Sequence, residues 1–166
     1  MASEIKVDTI VNAGGDNDTG IDLATNDQIL LKVANATKLT MNSTGQTSIV
    51  GEGGTTTTSV QQGLAKAWCH WTQVSTQTIR DSFNISGITD GGTGKTTLSI
   101  NNDMSNDDWA GSMYQNGHAG TGTGDWDNHY AGGFISRATG SVAIVGYASA
   151  LVDCGLMDVI IHGDLA

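Results

Sequence analysis

A chain of 166 residues with 23 glycines, no proline, 14% charged and 5% aromatic residues has room for one core, or for one core and a smaller appended module. Sparse charge beside abundant Gly, Ser, Thr and Asn argues against long solvated helices and for short strands joined by polar turns, while 38% hydrophobic content argues against a wholly disordered chain. The net charge of −10 is shared, with 3 basic and 7 acidic residues before Gln62 and 4 and 10 after it, so neither half can track a phosphate backbone by counterion release; nucleic acid and anionic membrane surfaces are excluded as partners.

The first residues, Met1 to Lys6, include an acid and no apolar run, which predicts no signal peptide, and no stretch approaches the ~18 apolar residues of a membrane span. Glu4 to Val11 alternates weakly and predicts a short strand. Residues 13–20 predict a loop by composition. Inside that loop Asp18-Thr19-Gly20 spells the aspartic-protease triplet, but that chemistry needs a carboxylate among apolar strand residues and Asp18 sits among polar ones. Asp16-Asn17-Asp18 starts like a calcium loop and lacks its glycine and distal Glu.

Strands are predicted at Ile29–Val33, Lys38–Asn42 and Thr47–Val50, with a turn at Ser43-Thr44-Gly45-Gln46. The spacing of about ten residues suggests a β-meander or a β-helical shaft. So few apolar residues cannot offset ~1–2 kcal/mol of backbone entropy per residue; pairing with copies of the same chain supplies the missing burial. The Gly- and Thr-rich run 51–59 reads as a linker. The expected organisation is an N-terminal anchor and shaft over 1–54, a linker over 55–62 and a head over 63–166.

In the head, Ala67, Cys69 and Trp71 share one strand face, and Trp68 and His70 the other. Thr78 to Ile100 predicts an antiparallel hairpin, with Phe83 and Ile85 on one face of its first arm, Leu98 and Ile100 on one face of its second, and Asp90-Gly91-Gly92-Thr93-Gly94 as the turn. Gly94-Lys95-Thr96 looks like the end of a phosphate-binding loop. The required glycine five positions earlier is Thr89, and a strand rather than a helix follows, so the hairpin turn is preferred. Residues 103–130 predict a loop-rich region. Ser141–Tyr147 predicts a central strand, apolar on both faces, and Leu156–Gly163 a last strand. About 100 residues of short strands suggest a β-sandwich. Cys69 and Cys154 match no metal-ligand spacing and read as buried free thiols, with a disulfide as the alternative.

Three stretches resemble bacteriophage tail-fibre and virion appendage proteins of the marine-phage type. Ser3 to Ile10 resembles their N-termini, and Leu39 to Ile49 resembles the strand, Ser-x-Gly turn, strand unit of fibre shafts. Gly63 to Trp68, Ile79 to Asp90 and Gly92-Thr93-Gly94 together resemble the C-terminal β-domain of such fibres. The resemblance covers roughly half the chain. It implies an all-β homotrimeric fibre or spike of the virion, intertwined, attached to other virion proteins by its N-terminal segment, with a jelly-roll-like sandwich head exposed. It implies no catalytic residue and no cofactor.

The richest polar-aromatic cluster is Trp109, Tyr114, Asn116, Asp125, Trp126, Asn128 and Tyr130. Aromatic faces cover the C–H surfaces of sugars while Asp and Asn fix hydroxyls, so this cluster is the candidate site for a host glycan or other surface receptor. The alternative is that these rings pack the domain or a seam between copies. His118, Asp127 and His129 are weak metal candidates, and Gly120 to Asp125 resembles a single repeat of a calcium β-roll, which needs several. A polysaccharide-cleaving enzyme would need paired carboxylates across a cleft, for which Asp103, Asp107, Asp108, Asp125 and Asp127 are candidates.

Overall fold

The computed structural model describes residues 6–12, 14, 18–25, 27–51, 54–118, 131–148 and 150–166; the side chains of 116–118 and 131 lie outside that description. The chain is all-β and divides into two compact units, residues 1–63 and 64–166.

The first unit is one antiparallel sheet in chain order: β1 (Thr9–Val11), β2 (Gly20–Asp22), β3 (Gln28–Val33), β4 (Ala36–Asn42), β5 (Thr47–Val50) and β6 (Thr57–Ser59). The turns that join β3 to β4 and β4 to β5 are described in full, and both are short and built from turn residues. The β3–β4 turn is two residues, Ala34 and Asn35, both at positive φ (51° and 58°), the geometry that matches the strand twist in a tight hairpin. Between β4 and β5, the Asn42 carboxamide oxygen accepts from the backbone N–H of Thr44 and of Gln46.

Residues 55–62 are not the linker expected from their composition. Thr57–Ser59 is the edge strand β6, paired with β5, and Val60–Gly63 forms the short helix α1. Gln61 then ties α1 to the β4–β5 turn: its Oε1 accepts from Thr47 N at 3.0 Å and its Nε2 donates to Gly45 O at 2.9 Å. The composition reads as a linker, yet Thr is a good strand former, and Thr57 and Thr58 enter β6. The strand β2 carries no sequence signal of its own, since Gly-Ile-Asp offers no alternation to read.

The second unit is a sandwich of two four-stranded antiparallel sheets. One runs β11-β14-β7-β8 and the other β12-β13-β10-β9, where β7 is Ala67–Thr72, β8 Thr78–Phe83, β9 Ile85–Asp90, β10 Lys95–Ile100, β11 Ala110–His118, β12 Ala131–Arg137, β13 Ser141–Tyr147 and β14 Cys154–His162. Strict alternation builds the core: Ala67, Cys69 and Trp71 point in from β7, Met157, Val159 and Ile161 from β14, Leu98 and Ile100 from β10, Val142 and Ile144 from β13. As expected, β13 is an interior strand, between β12 and β10.

Two expectations are corrected. Residues 78–90 are not one arm of a hairpin. Asn84 has φ 57°, which ends β8 and starts β9 in the opposite sheet, so Phe83 faces out while Ile85 packs on the core. The Asn84 side chain holds the crossing, donating to Lys66 O (2.9 Å) and Asn102 O (3.1 Å) and accepting from Asn102 N (2.7 Å). The hairpin proper is β9–β10, turning through residues 91–94. The second correction is at 103–130, expected to be loop-rich: Ala110–His118 is the strand β11, paired along β14.

A polar network is buried beside this core. Thr96 Oγ1 accepts from Trp71 Nε1 (3.3 Å) and Gln73 Nε2 (3.0 Å) and donates to Gln77 Oε1 (2.6 Å). Gln77 Nε2 continues to Asp90 Oδ1 and Lys95 O, and Gln73 Oε1 accepts from Cys154 N, so one hydroxyl links β7, β9, β10 and β14.

Candidate binding face

The outward face of the sheet β11-β14-β7-β8 gathers the described side chains best suited to hold a ligand. Residues directly opposite on paired strands share a face, so the register lays out rows across the sheet. One row is Ser112, Ile160, Trp68 and Phe83. The next is Tyr114, Asp158, His70 and Asp81. An apolar-aromatic row thus lies beside a polar one. Phe83 is 52% exposed, Ile160 is exposed and Trp68 is half-buried.

Within the polar row the His70 ring donates from Nδ1 to Asp158 Oδ1 at 2.6 Å, since a carboxylate can only accept, and the bond fixes the ring in the row. Asp81 and Asp158 stand on either side of His70, two strand spacings apart, or about 10 Å, on an open face. Aromatic surface next to fixed carboxylate, imidazole and phenol groups is the composition that saccharides bind: C–H faces lie on rings and hydroxyls bond to the polar row.

The residues expected at a receptor site separate. Trp109 is 3% exposed and belongs to the core. Its indole N–H donates to Ala138 O at 3.2 Å, its ring meets Phe134 edge-to-face at 5.6 Å, and the Arg137 guanidinium lies 5.3 Å from its centroid. It cannot present a face to a ligand. Tyr114 is 62% exposed on the outward face described above. Asn116 pairs with Leu156 on β11, with its side chain outside the description. Asp125, Trp126, Asn128 and Tyr130 lie outside the described residues, as do Asp127 and His129; the backbone of His118 pairs with Cys154. Among the described residues no group of three or more His, Cys, Asp or Glu is placed to hold a metal. Trp68 and His70 were legible as one strand face; Phe83, Ile160 and Asp158 were not, because only the pairing of β7 with β8 and β14 brings them alongside.

Gly94-Lys95-Thr96 is the end of the β9–β10 turn. Gly94 has φ 66°, its N–H donates to Asp153 Oδ1 at 2.7 Å, and a Cβ there would lie 2.7 Å from Gly146 O. Thr96 is buried in the network above, so these residues are not arranged around a phosphate.

The cysteines are both free and buried. Cys69 stands opposite Val159, five residues along β14 from Cys154 or about 17 Å at strand rise, too far for a disulfide. Burial, with the Asp158 and Asp81 carboxylates adding to it, pushes the Cys69 thiol up to about 12, and burial with Asp153 pushes Cys154 up to about 11.

Described residues of the first unit line a small concavity and a wider groove. One, of about 100 Å³, is lined by Thr9, Val11, Asp22 and Lys32 among others, and there the Lys32 ammonium bonds the Asp22 carboxylate. That bond, and a second from Ala24 N, hold the Asp22 carboxyl below the usual carboxylate range. The other, of about 380 Å³, is an open groove whose lining includes Leu23, Ile29 and Met41.

Compared with family models, with curated proteins and with solved structures, the chain matches none.

Proposed function

We propose that this chain is a structural appendage protein of a bacteriophage virion, a tail or capsid fibre or spike. In this reading it is homotrimeric and intertwined, its N-terminal segment joins other virion proteins, and its sandwich head faces outward. The observation that carries the reading is the first unit: a single-layer antiparallel meander with exposed apolar side chains, followed by a self-contained sandwich. A one-layer sheet that leaves its apolar face open is built for assembly rather than for solitary use. The N-terminal, shaft and head stretches that resemble phage fibres fall in the same order along the chain. The role is non-enzymatic and needs no cofactor. Immunogold labelling of intact particles with an antibody to residues 64–166 tests it. Label at the tips of tail or capsid projections is expected; particles that lack the chain would remove the reading.

The second reading is a receptor-binding head, favoured by Trp68, Phe83 and Tyr114 beside the His70–Asp158 pair on one open sheet face. Retention of the full chain on host envelope or a glycan array, lost in the Trp68→Ala/Phe83→Ala double variant with the fold intact by circular dichroism, is the expected result. Equal retention by the variant overturns that assignment. Release of reducing ends from host polysaccharide would instead promote a cleaving enzyme.

A further inference from the structure

In the first unit the register carries an apolar row across the sheet. Ile10 stands opposite Ile21, Ile21 opposite Leu31, Leu31 opposite Leu39, and Leu39 opposite Ile49. Directly opposite residues share a face, so these five side chains lie side by side on one surface. Ile29, paired with Met41, widens the row on that face, and Val33, two residues beyond Leu31 on β3, extends it. The opposite face is different: Thr9, Asp22, Leu30, Thr40, Ser48 and Ser59 form its central row, and it carries the Asp22–Lys32 ion pair. A one-residue bulge between Leu31 and Lys32 keeps Leu39 and Met41 in line with the apolar row.

This apolar face is open. Ile10 is 52% exposed and Val33 49%, and Ile29, Leu31, Met41 and Ile49 are exposed as well. Among the described residues, every fully buried hydrophobic side chain belongs to the second unit.

Resting on the appendage reading, we propose that this face is the seam between copies of the chain: the row Ile10–Ile21–Leu31–Leu39–Ile49 of each copy packs against the same row of its neighbours. Two physical features select a second copy as the occupant. The first is area. Six exposed apolar side chains, with Ile21 and Leu39 partly covered between them, leave on the order of 500 Å² of apolar surface per copy, which with a polar rim approaches the ~800 Å² per partner of a standard stable interface. The second is charge. A cyclic assembly brings the same patch around a common axis, so any charge on it meets its own kind. The row holds no charged residue, whereas the chain as a whole carries −10 and the reverse face carries Asp22 and Lys32. An uncharged row lets copies of so acidic a chain approach one another at low electrostatic cost along it.

The test uses the full-length chain with single cysteines introduced into the sheet. Cys69 and Cys154 are buried, so they stay silent under mild oxidation. Leu31→Cys, at the middle of the row, is expected to form disulfide-linked dimers under mild oxidation, while Thr40→Cys, on the reverse face, stays monomeric on a denaturing gel. In parallel, Leu31→Glu places like charges at the seam and is expected to weaken association at least about tenfold by sedimentation. All tryptophans lie beyond residue 63, so their fluorescence reports whether the head remains folded in that variant. Cross-linking through Thr40→Cys but not Leu31→Cys, or an oligomer unmoved by Leu31→Glu, overturns the seam while leaving the appendage reading to its particle-labelling test. A wild-type monomer at micromolar concentration, its apolar row covered by its own second unit or by another protein, overturns it as well.

Discussion

At the residue scale the second unit depends on a few polar atoms placed where apolar ones would be expected. Thr96 is 1% exposed, and its hydroxyl is the shared partner of Trp71, Gln73 and Gln77. Removing that oxygen leaves one buried acceptor and two buried donors without it, and a buried unsatisfied group costs about 1–3 kcal/mol. Thr96→Val keeps the shape and removes the hydroxyl. It is expected to lower the melting temperature of the sandwich by roughly 5–15 °C, read by tryptophan fluorescence, given ~4–8 °C per kcal/mol for a domain of this size. An unchanged melting temperature would show that the carboxamides find other partners. Sequence alone offered no access to this network, because Thr96 alternates correctly for a strand and nothing local marks its hydroxyl as shared between sheets.

At the element scale, short apolar runs bounded by turn residues were legible almost to the residue. Thr47–Val50 and Ser141–Tyr147 have the expected bounds, and Ala67, Cys69 and Trp71 share the buried face read from their spacing. The misreadings fall where one residue changes the path of the chain. Asn84 separates two stretches that alternate continuously in sequence, and its left-handed φ sends β9 to the other sheet. A local pattern cannot reveal this, since Asn is equally at home in a strand-end turn. On the binding face the loss was of the same kind: Trp68 and His70 were visible, but their neighbours come from strands distant in sequence. The crossing itself is open to test. Asn84→Ala loses three hydrogen bonds and forces a Cβ-bearing residue without a carboxamide into the left-handed region, and should destabilise the head by about 2–3 kcal/mol. Asn84→Gly loses the same bonds but accepts the φ, and should cost about 1 kcal/mol less. Urea denaturation of both variants separates the contributions; equal losses would assign the whole effect to hydrogen bonding.

At the scale of the whole molecule, the two units hold themselves together by different means and should respond to opposite ends of the pH scale. The first unit has a surface ion pair on one face of a single sheet. Asp22 is held below its ordinary range chiefly by the hydrogen bond from Lys32, so its contribution is present at neutral pH and fades as pH falls below about 4. The second unit buries two thiols. Unfolded, a thiol ionises near pH ~8.5, whereas in the fold Cys69 is pushed up to about 12 and Cys154 up to about 11. The folded state therefore keeps protons that the unfolded state releases, and stability is full below the unfolded value and declines as pH rises from about 9 towards 11 and 12. Fluorescence-detected urea midpoints of the full chain should fall between pH 8 and 10. In the Cys69→Ser/Cys154→Ser variant this decline should flatten, whatever its stability at neutral pH. The same burial makes both thiols slow towards an aromatic disulfide reagent at pH 8. Their labelling should track the population of unfolded head, rising steeply with urea across the fluorescence transition. Labelling at either cysteine well below that midpoint would mean that the sandwich opens along β7 or β14 without unfolding as a unit.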